Sequence, residues 1–165
     1  MAIETGWLKG CATALVTPFG RDGSVDEERM TALVERQVKG GVSLLVPCGT
    51  TGESATMTED EDRRVIELTI SAARKSSARV IAGTGSNSTA AAIEYSLAAK
   101  EMGADAVLVV APFYNKPTQA GLYAHFRAVA EAMLALPVVV YYVPGRSCSF
   151  ISGQSVLKVA REVEI

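Results

Sequence analysis

The stretch that decides the fold is Ala106-Val107-Leu108-Val109-Val110-Ala111, an uninterrupted apolar run rich in β-branched residues. A strand that is apolar on both faces is typical of a parallel sheet covered by helices, because none of its side chains needs to face water. A second run of this kind, Pro137-Val138-Val139-Val140, follows after one long amphipathic segment. A strand, a helix and another strand in this order indicate a parallel βαβ unit.

The same alternation extends from this unit in both directions along the chain. The apolar runs predict five strands, at residues 10–16, 42–48, 79–83, 106–111 and 137–143. The amphipathic runs predict five helices, at residues 26–39, 59–75, 89–102, 119–134 and 152–161. Thr58 and Glu61 have the spacing of a capping box, Ser88 can cap the third helix, and Gly40 and Gly103 stand where helices end. We therefore predict an α/β fold of order βαβαβαβαβα.

Two parallel architectures have this order, the eight-stranded barrel and the open doubly wound sheet. Neither Thr17-Pro18-Phe19-Gly20 nor Gly83-Thr84-Gly85 continues into the GxGxxG fingerprint of dinucleotide-binding folds. The barrel is therefore favoured. Because a full barrel needs about 250 residues, the five strands form either a fragment or a barrel that closes by other means.

Composition excludes several classes of function. The chain has 165 residues, 48% of them hydrophobic, a net charge of −2 and a pI near 5.5, with no cluster of Lys and Arg. This predicts one soluble globular unit whose partners are small molecules or other subunits rather than nucleic acid. No apolar run reaches the ~20 residues of a membrane-spanning helix, so we expect a cytoplasmic protein without membrane contact.

Thiol and imidazole groups are few. Cys11, Cys48 and Cys148 are scattered without CxxC spacing, which disfavours a disulfide framework or a zinc site and favours buried free thiols. His125 has no second ligand in HExxH spacing, and we expect it on the surface of a helix. The sequence thus predicts neither a metal nor a cofactor.

Polar residues follow each predicted strand. The second strand leads into Gly49-Thr50-Thr51-Gly52-Glu53-Ser54, which fits either an ordinary turn or a site for a small carboxylate, since its N–H groups and hydroxyls meet at one point. The fourth strand leads to Tyr114, and the fifth runs through Tyr141 towards Arg146. Catalytic groups of a βα-barrel gather at the carboxyl ends of its strands. Hydroxyls with one arginine there favour an acidic substrate and proton transfer.

Five segments, in this order, resemble the dihydrodipicolinate synthase family, the pyruvate-dependent class I aldolases that also include N-acetylneuraminate lyase. The segments are Ala14-Leu15-Val16-Thr17-Pro18-Phe19, the turn at residues 49–54, Ala82-Gly83-Thr84-Gly85-Ser86-Asn87, Tyr114-Asn115-Lys116-Pro117-Thr118-Gln119 and residues 141–146. The resemblance implies a (β/α)8 TIM barrel. Residues 1–165 would be the N-terminal portion of that single barrel, with its first five βα units.

The resemblance also implies an activity and roles for individual residues. The family condenses pyruvate with L-aspartate-4-semialdehyde through a Schiff base on a lysine, at the start of lysine and diaminopimelate synthesis. Tyr141 would be the proton shuttle, and Thr51 would link it to Tyr114 contributed by a neighbouring subunit of a tetramer. Thr50 would bind the pyruvate carboxylate. Arg146, preceded by Gly145, would hold the acid group of the semialdehyde.

Three features depart from the family's pattern. The Schiff-base lysine of the family lies on a sixth strand beyond Ile165, and the six lysines present stand at solvated positions that do not lower a lysine pKa. We therefore expect the chain to be inactive alone. Tyr142 stands where the family usually has asparagine. Ala91 and Phe113 replace a glutamate and a tyrosine of the inhibitor pocket in regulated members, so we expect no inhibition by lysine.

Two other interpretations stay open. The chain could be a catalytically inactive short relative that acts as a partner module, or another pyruvate aldolase of the same family. If five strands fold alone, the first and the fifth present unpaired edges, and the apolar inner faces of the open barrel face water. We therefore expect a homo-oligomer, with edge-to-edge pairing as one way to form it.

Overall fold

A parallel five-stranded sheet with strand order β1-β2-β3-β4-β5 forms the centre of the molecule. The computed structural model describes residues 3–134 and 136–162. Its strands are β1 (Ala12–Ala14), β2 (Leu44–Val46), β3 (Arg79–Gly83), β4 (Ala106–Val110) and β5 (Val138–Tyr141). Its helices are α1 (Glu27–Lys39), α2 (Glu59–Ala73), α3 (Thr89–Met102), α4 (Gln119–Met133), α5 (Pro144–Ser147) and α6 (Gly153–Glu162). The predicted alternation of strands and helices is confirmed.

The main core lies between the sheet and the helices. Leu45, Val107 and Val109 face this layer and are fully buried, as are Met30 and Phe126 from the helices that cover them. Residues two apart along a strand share a face. The odd-numbered positions of β4 therefore face the helices, while Ala106, Leu108 and Val110 face the concave side.

The concave side of the sheet has a small apolar cluster of its own. Leu44, Val46, Ile81 and Ala106 are buried there, and Trp7 with Leu8 packs against them. The Arg79 guanidinium lies 5.0 Å from the centre of the Trp7 ring. The expectation that the whole inner face meets water is therefore wrong for this end of the sheet. The inner face does meet water nearer the free edge of β1, where Val16 is 51% exposed.

Several element boundaries differ from those predicted. Four of the five strands are shorter than the apolar runs, because each run extends beyond the residues that pair with a neighbouring strand. Helix α5 and two short 3-10 turns, Thr50–Gly52 and Ser54–Thr56, were not predicted as elements. Such short turns carry no hydrophobic period by which a sequence could reveal them.

The expectations for histidine and cysteine need correction. His125 is buried, not on the surface of its helix, because its ring packs at the junction of α4 with α3, where Nδ1 lies 2.9 Å from the Thr89 hydroxyl. Of the three cysteines only Cys48 is buried, while Cys11 and Cys148 are exposed free thiols. Both exposed cysteines stand outside the strands, so no sheet face covers them.

Candidate active site at the carboxyl ends of the strands

The turn after β2 has a compact, internally bonded backbone. Gly52 N–H donates to Gly49 O at 2.9 Å, and Glu53 N–H donates to Thr50 O at 3.2 Å. Glu53 ends the first 3-10 turn in the left-handed region, with φ of 60°. Thr50 and Thr51 lie at the exposed start of this turn. The carboxylate-binding segment predicted from sequence is thus a 3-10 turn that presents both threonines to solvent.

Contacts from neighbouring strands fix the turn in place. The buried Thr17 hydroxyl, which follows β1, donates to Gly52 O at 2.7 Å. On the other side Gly83 N–H donates to Pro47 O at 2.9 Å. A Cβ on Gly83 would lie 2.4 Å from Cys48 O, so only glycine permits this approach. No sequence motif indicated that Thr17 and Gly83 would support the turn.

Beneath the turn, helix α2 supplies a second support. The Cys48 thiol donates to Asp62 O at 3.4 Å, and the Ser54 hydroxyl donates to Asp62 Oδ2 at 3.1 Å. Burial raises the pKa of the Cys48 thiol far above its usual range, so this sulfur stays protonated and is not a nucleophile. Burial also raises the pKa of the Asp62 carboxyl. The cysteine and the aspartate are therefore structural groups below the site.

Tyr141 ends β5 on the concave side of the sheet. It stands two residues after Val139, which packs on the inner cluster, so the two side chains share a face. Its ring is 43% exposed. Among the described residues no hydrogen bond joins the hydroxyls of Thr51, Tyr141 and Tyr114. The proposed relay therefore stays a prediction.

Tyr114 projects from a tight loop after β4. Its backbone has φ of 72°, a conformation that is rare for an aromatic residue, and its side chain is 87% exposed. Tyr114 N–H donates to Ser147 O at 3.2 Å, which joins this loop to the loop after β5. The Asn87 side chain donates to Phe113 O at 3.3 Å from the loop after β3. An exposed aromatic ring on so well-fixed a backbone can contact another molecule.

Arg146 stands on the single turn of α5. Arg146 N–H donates to Val143 O at 3.0 Å, and Gly145 has open space where a Cβ would be. The Arg146 side chain is exposed and makes no ion pair with the described residues. A guanidinium so placed can bind an external carboxylate bidentately.

None of the six lysines lies on a strand of the sheet. Lys9 precedes β1, Lys39 ends α1 and Lys75 follows α2. The Lys100 ammonium donates to Met133 O at 2.6 Å, on the helix layer. Lys116 is exposed in the Tyr114 loop, and Lys158 lies 4.2 Å from the centre of the Tyr123 ring on α4.

Comparison with known proteins agrees with this arrangement. The chain matches the dihydrodipicolinate synthetase family over residues 7–164. The chain belongs to this family. A curated relative named 4-hydroxy-tetrahydrodipicolinate synthase, from Phenylobacterium zucineum, is 54% identical over 154 residues, which cover 93% of this chain and 51% of the relative. The chain thus spans about half the length of the curated relatives it matches.

Solved structures of the family superpose closely on the sheet and its helices. Dihydrodipicolinate synthase from Acinetobacter baumannii, complexed with pyruvate, is 46% identical with a TM-score of 0.91, over 94% of this chain and 53% of its own. The enzyme from Cyanidioschyzon merolae with lysine bound is 39% identical with a TM-score of 0.94, over 98% and 55%. The predicted fold, five βα units of the (β/α)8 barrel family, is confirmed. None of the described helices is both long and apolar enough to cross a membrane.

Proposed function

We propose that this chain forms the substrate-binding rim of a 4-hydroxy-tetrahydrodipicolinate synthase, which condenses pyruvate with L-aspartate-4-semialdehyde in lysine and diaminopimelate synthesis. The observation that supports this most strongly is the turn at residues 49–54, held from both sides by Thr17 and Gly83. Such a fixed turn is preorganised for an anion, because its donors need no rearrangement on binding. The names of the relatives support the same activity.

Each exposed polar group at the rim has a role in this proposal. Thr50 binds the pyruvate carboxylate at the start of the 3-10 turn. Arg146 binds the acid group of the semialdehyde, and Gly145 beside it leaves room for that substrate. Tyr141 moves protons to and from the substrate, with Thr51 linking it to Tyr114 of a neighbouring copy in a tetramer. The 87% exposure of Tyr114 on a fixed loop fits insertion into another copy.

In this proposal none of the six lysines of the sequence forms the Schiff base with pyruvate. A nucleophilic lysine needs a desolvated or cationic site that lowers its pKa. Lys116 and Lys158 are exposed, and the Lys100 ammonium is used in a bond to Met133 O. We therefore propose that the 165-residue chain binds substrates without turning them over.

Binding of pyruvate to the turn can be followed by NMR on the 165-residue chain. Titration with pyruvate should shift the amide signals of Thr50 and Thr51. Thr50→Val should weaken binding by about tenfold, because one hydrogen bond to a charged ligand is lost. Thr31→Val on α1 is the matched control and should bind pyruvate as the original chain does. If the Thr50 and Thr51 signals stay unchanged at saturating pyruvate, the proposed function is wrong.

Borohydride trapping tests the absence of the nucleophile separately. A Schiff base forms when a lysine amine condenses with the pyruvate carbonyl and releases water, and borohydride reduces the imine to a stable amine. The Acinetobacter baumannii enzyme serves as the positive control and should gain the mass of one reduced pyruvyl group. The 165-residue chain should gain none. A covalent adduct on any of its lysines would contradict the proposal.

We also propose that lysine does not bind this chain at the position of the family's inhibitor pocket. Ala91 in the first turn of α3 and Phe113 before Tyr114 offer neither a carboxylate nor a hydroxyl there. Calorimetry with millimolar L-lysine should show no binding, with the Cyanidioschyzon merolae enzyme as the positive control. The double variant Ala91→Glu, Phe113→Tyr should acquire binding. Saturable binding of lysine to the original chain would refute this.

A cytoplasmic location completes the proposal. Cys11 and Cys148 are exposed free thiols, and thiols of this kind persist where the compartment is reducing. Fractionation of cells that produce the protein, with detection by antibody, should recover it with cytoplasmic enzymes. Recovery with secreted proteins would contradict this location.

A further inference from the structure

Tyr142 lies next to the proposed proton shuttle and faces the opposite way. Its ring packs on the main core between sheet and helices, whereas Tyr141 is on the concave side. The Tyr142 hydroxyl donates to Ser149 O at 3.0 Å. The eight residues from Tyr142 to Ser149 include the whole of α5. This bond therefore closes a loop around the turn that contains Arg146.

Ser149 connects the same loop to the loop after β4. It is buried, and its hydroxyl donates to Pro112 O. Two residues earlier Ser147 O accepts the bond from Tyr114 N–H at 3.2 Å. Two bonds thus run from Tyr142 through Ser149 to Pro112, and a separate bond joins Ser147 to Tyr114 in the same loop.

The turn itself needs such support. It has a single helical turn, and Cys148 ends it in the left-handed region with φ of 52°, a conformation that is unfavourable for a residue with a Cβ. The Arg146 side chain has no protein partner among the described residues. The position of the guanidinium therefore depends on the backbone of the turn that carries it and not on an ion pair. A disordered turn would raise the entropy cost of binding an acid group.

We propose that Tyr142 is a positioning residue, which through Ser149 holds the Pro144–Ser147 turn so that Arg146 meets the acid group of the aldehyde substrate. The order of the turn follows from the geometry alone. The identity of the ligand rests on the function proposed above. One consequence, the order of the turn, is therefore independent of the ligand, and a second, the binding of the acid group, depends on it.

Limited proteolysis measures the first consequence on the 165-residue chain. Trypsin cleaves after Arg146 only when the turn opens, and mass spectrometry identifies the cut between residues 146 and 147. Tyr142→Phe keeps the ring in the core but removes the hydroxyl, and should speed this cut by about fivefold, the effect of one net hydrogen bond. Ser149→Ala should speed it as well. Tyr95→Phe, which removes a hydroxyl bonded to Glu59 on α2, is the control and should leave the rate of this cut unchanged.

Titration with succinic semialdehyde, an aldehyde with one carboxylate, measures the second consequence. NMR signals of the Arg146 turn should shift on binding, and Tyr142→Phe should raise the dissociation constant severalfold while pyruvate binding at Thr50 stays unchanged. If Tyr142 had a merely structural role, Tyr142→Phe would weaken the binding of both ligands. Tyr95→Phe should leave both constants unchanged.

The outcomes separate the inference from the proposed function. Faster cutting at Arg146 with selective loss of semialdehyde binding supports the positioning role. Unchanged cutting, or faster cutting at every site together, overturns it, because the hydroxyl then does not order the turn. Faster cutting without any change in binding also overturns it. If the original chain binds pyruvate but not the semialdehyde, the role of Arg146 is wrong, and the positioning role fails with it.

Discussion

At the scale of single residues, the site depends on contacts between segments far apart in the chain. Gly83 is the clearest case, since a Cβ there would lie 2.4 Å from Cys48 O and the obstacle is rigid backbone. Thr17 contributes a buried bond to Gly52 over 35 residues of sequence. Neither residue touches the proposed substrates. Both decide whether the turn at residues 49–54 keeps the shape that the proposed function needs.

Gly83→Ala should destabilise the protein by about 1–3 kcal/mol, as overpacking against an unyielding neighbour does. The turn after β2 would have to move away from β3 to admit the methyl group. Gly49→Ala, in the same turn, has no atom within 4 Å of the added Cβ and should change the free energy of unfolding by less than about 0.5 kcal/mol. Urea unfolding of both variants checks this. Equal stability of Gly83→Ala and the original chain would contradict it.

His125 makes stability depend on pH. Burial lowers its pKa below the ordinary 6.5, and Nε2 is buried without a hydrogen-bond partner among the described residues. The unfolded chain therefore binds a proton at higher pH than the folded protein. The contribution of the neutral imidazole is fully present above about pH 6.5 and is lost as the pH falls, with a slope of at most about 1.4 kcal/mol per pH unit.

Comparison with His125→Gln isolates this effect from the carboxylates that titrate in the same range. Urea midpoints measured from pH 7.5 down to pH 5 should fall more steeply for the original chain than for the variant. The variant keeps a polar side chain but has no group that titrates there. Parallel curves for the two proteins would mean that His125 does not control the pH dependence.

At the scale of elements, helix α2 links the rim to the core. The Thr58 side chain accepts a bond from Glu61 N–H, and the Glu61 carboxylate accepts one from Thr58 N–H, so the predicted capping box is confirmed. Asp62, one residue further on, accepts bonds from Cys48 just before the turn and from Ser54 within it. The start of α2 therefore sets the position of the turn from below.

Thr58→Ala should cost about 1 kcal/mol of stability, since it leaves an N–H at the start of α2 without its acceptor. Thr31→Ala on α1 is the matched control. Its hydroxyl donates to Glu27 O within a regular helix, so its removal should change stability by less than about 0.5 kcal/mol. Thermal unfolding of both variants gives the comparison. A smaller loss for Thr58→Ala than for Thr31→Ala would rule out a contribution from the cap.

At the scale of the whole molecule, the described sheet has two free edges and a concave face that is only partly covered. β1 pairs only with β2, and β5 only with β4. Trp7 and Leu8 pack on the inner cluster, whereas Val16 and Tyr141 stay exposed by 51% and 43%. Free edges and exposed apolar side chains on the same side of a sheet favour association with another sheet.

The 165-residue chain should therefore associate as its concentration rises, and light scattering should detect this. Val16→Asp places a charge on the concave side and should weaken the association. Leu157 on the outer helix α6 is 53% exposed, and the control variant Leu157→Asp should leave the association unchanged. A monodisperse monomer at all concentrations would contradict the prediction. An equal effect of the two variants would move the contact away from the concave side.

The order of strands and helices, the helix caps and the family could all be predicted from the residues. These features are local: the hydrophobic period, the capping residues and short motifs such as the turn at residues 49–54 are all contained in neighbouring residues. The resemblance then supplied roles for Thr50, Thr51, Tyr114, Tyr141, Gly145 and Arg146, which remain predictions. The exposed positions of these residues at one edge of the sheet follow from parallel strands, whose carboxyl ends meet on one side.

The contacts that support the site depend instead on how the elements pack. His125 is buried because α3 packs beside it, Gly83 must be glycine because Cys48 approaches it, and the Tyr142 hydroxyl reaches Ser149 because α5 bends the chain back. The first two depend on segments that are far apart in the sequence, and the third depends on how α5 folds between Tyr142 and Ser149. No periodicity or motif records such a meeting, because its free energy belongs to the pair of segments and not to either one alone.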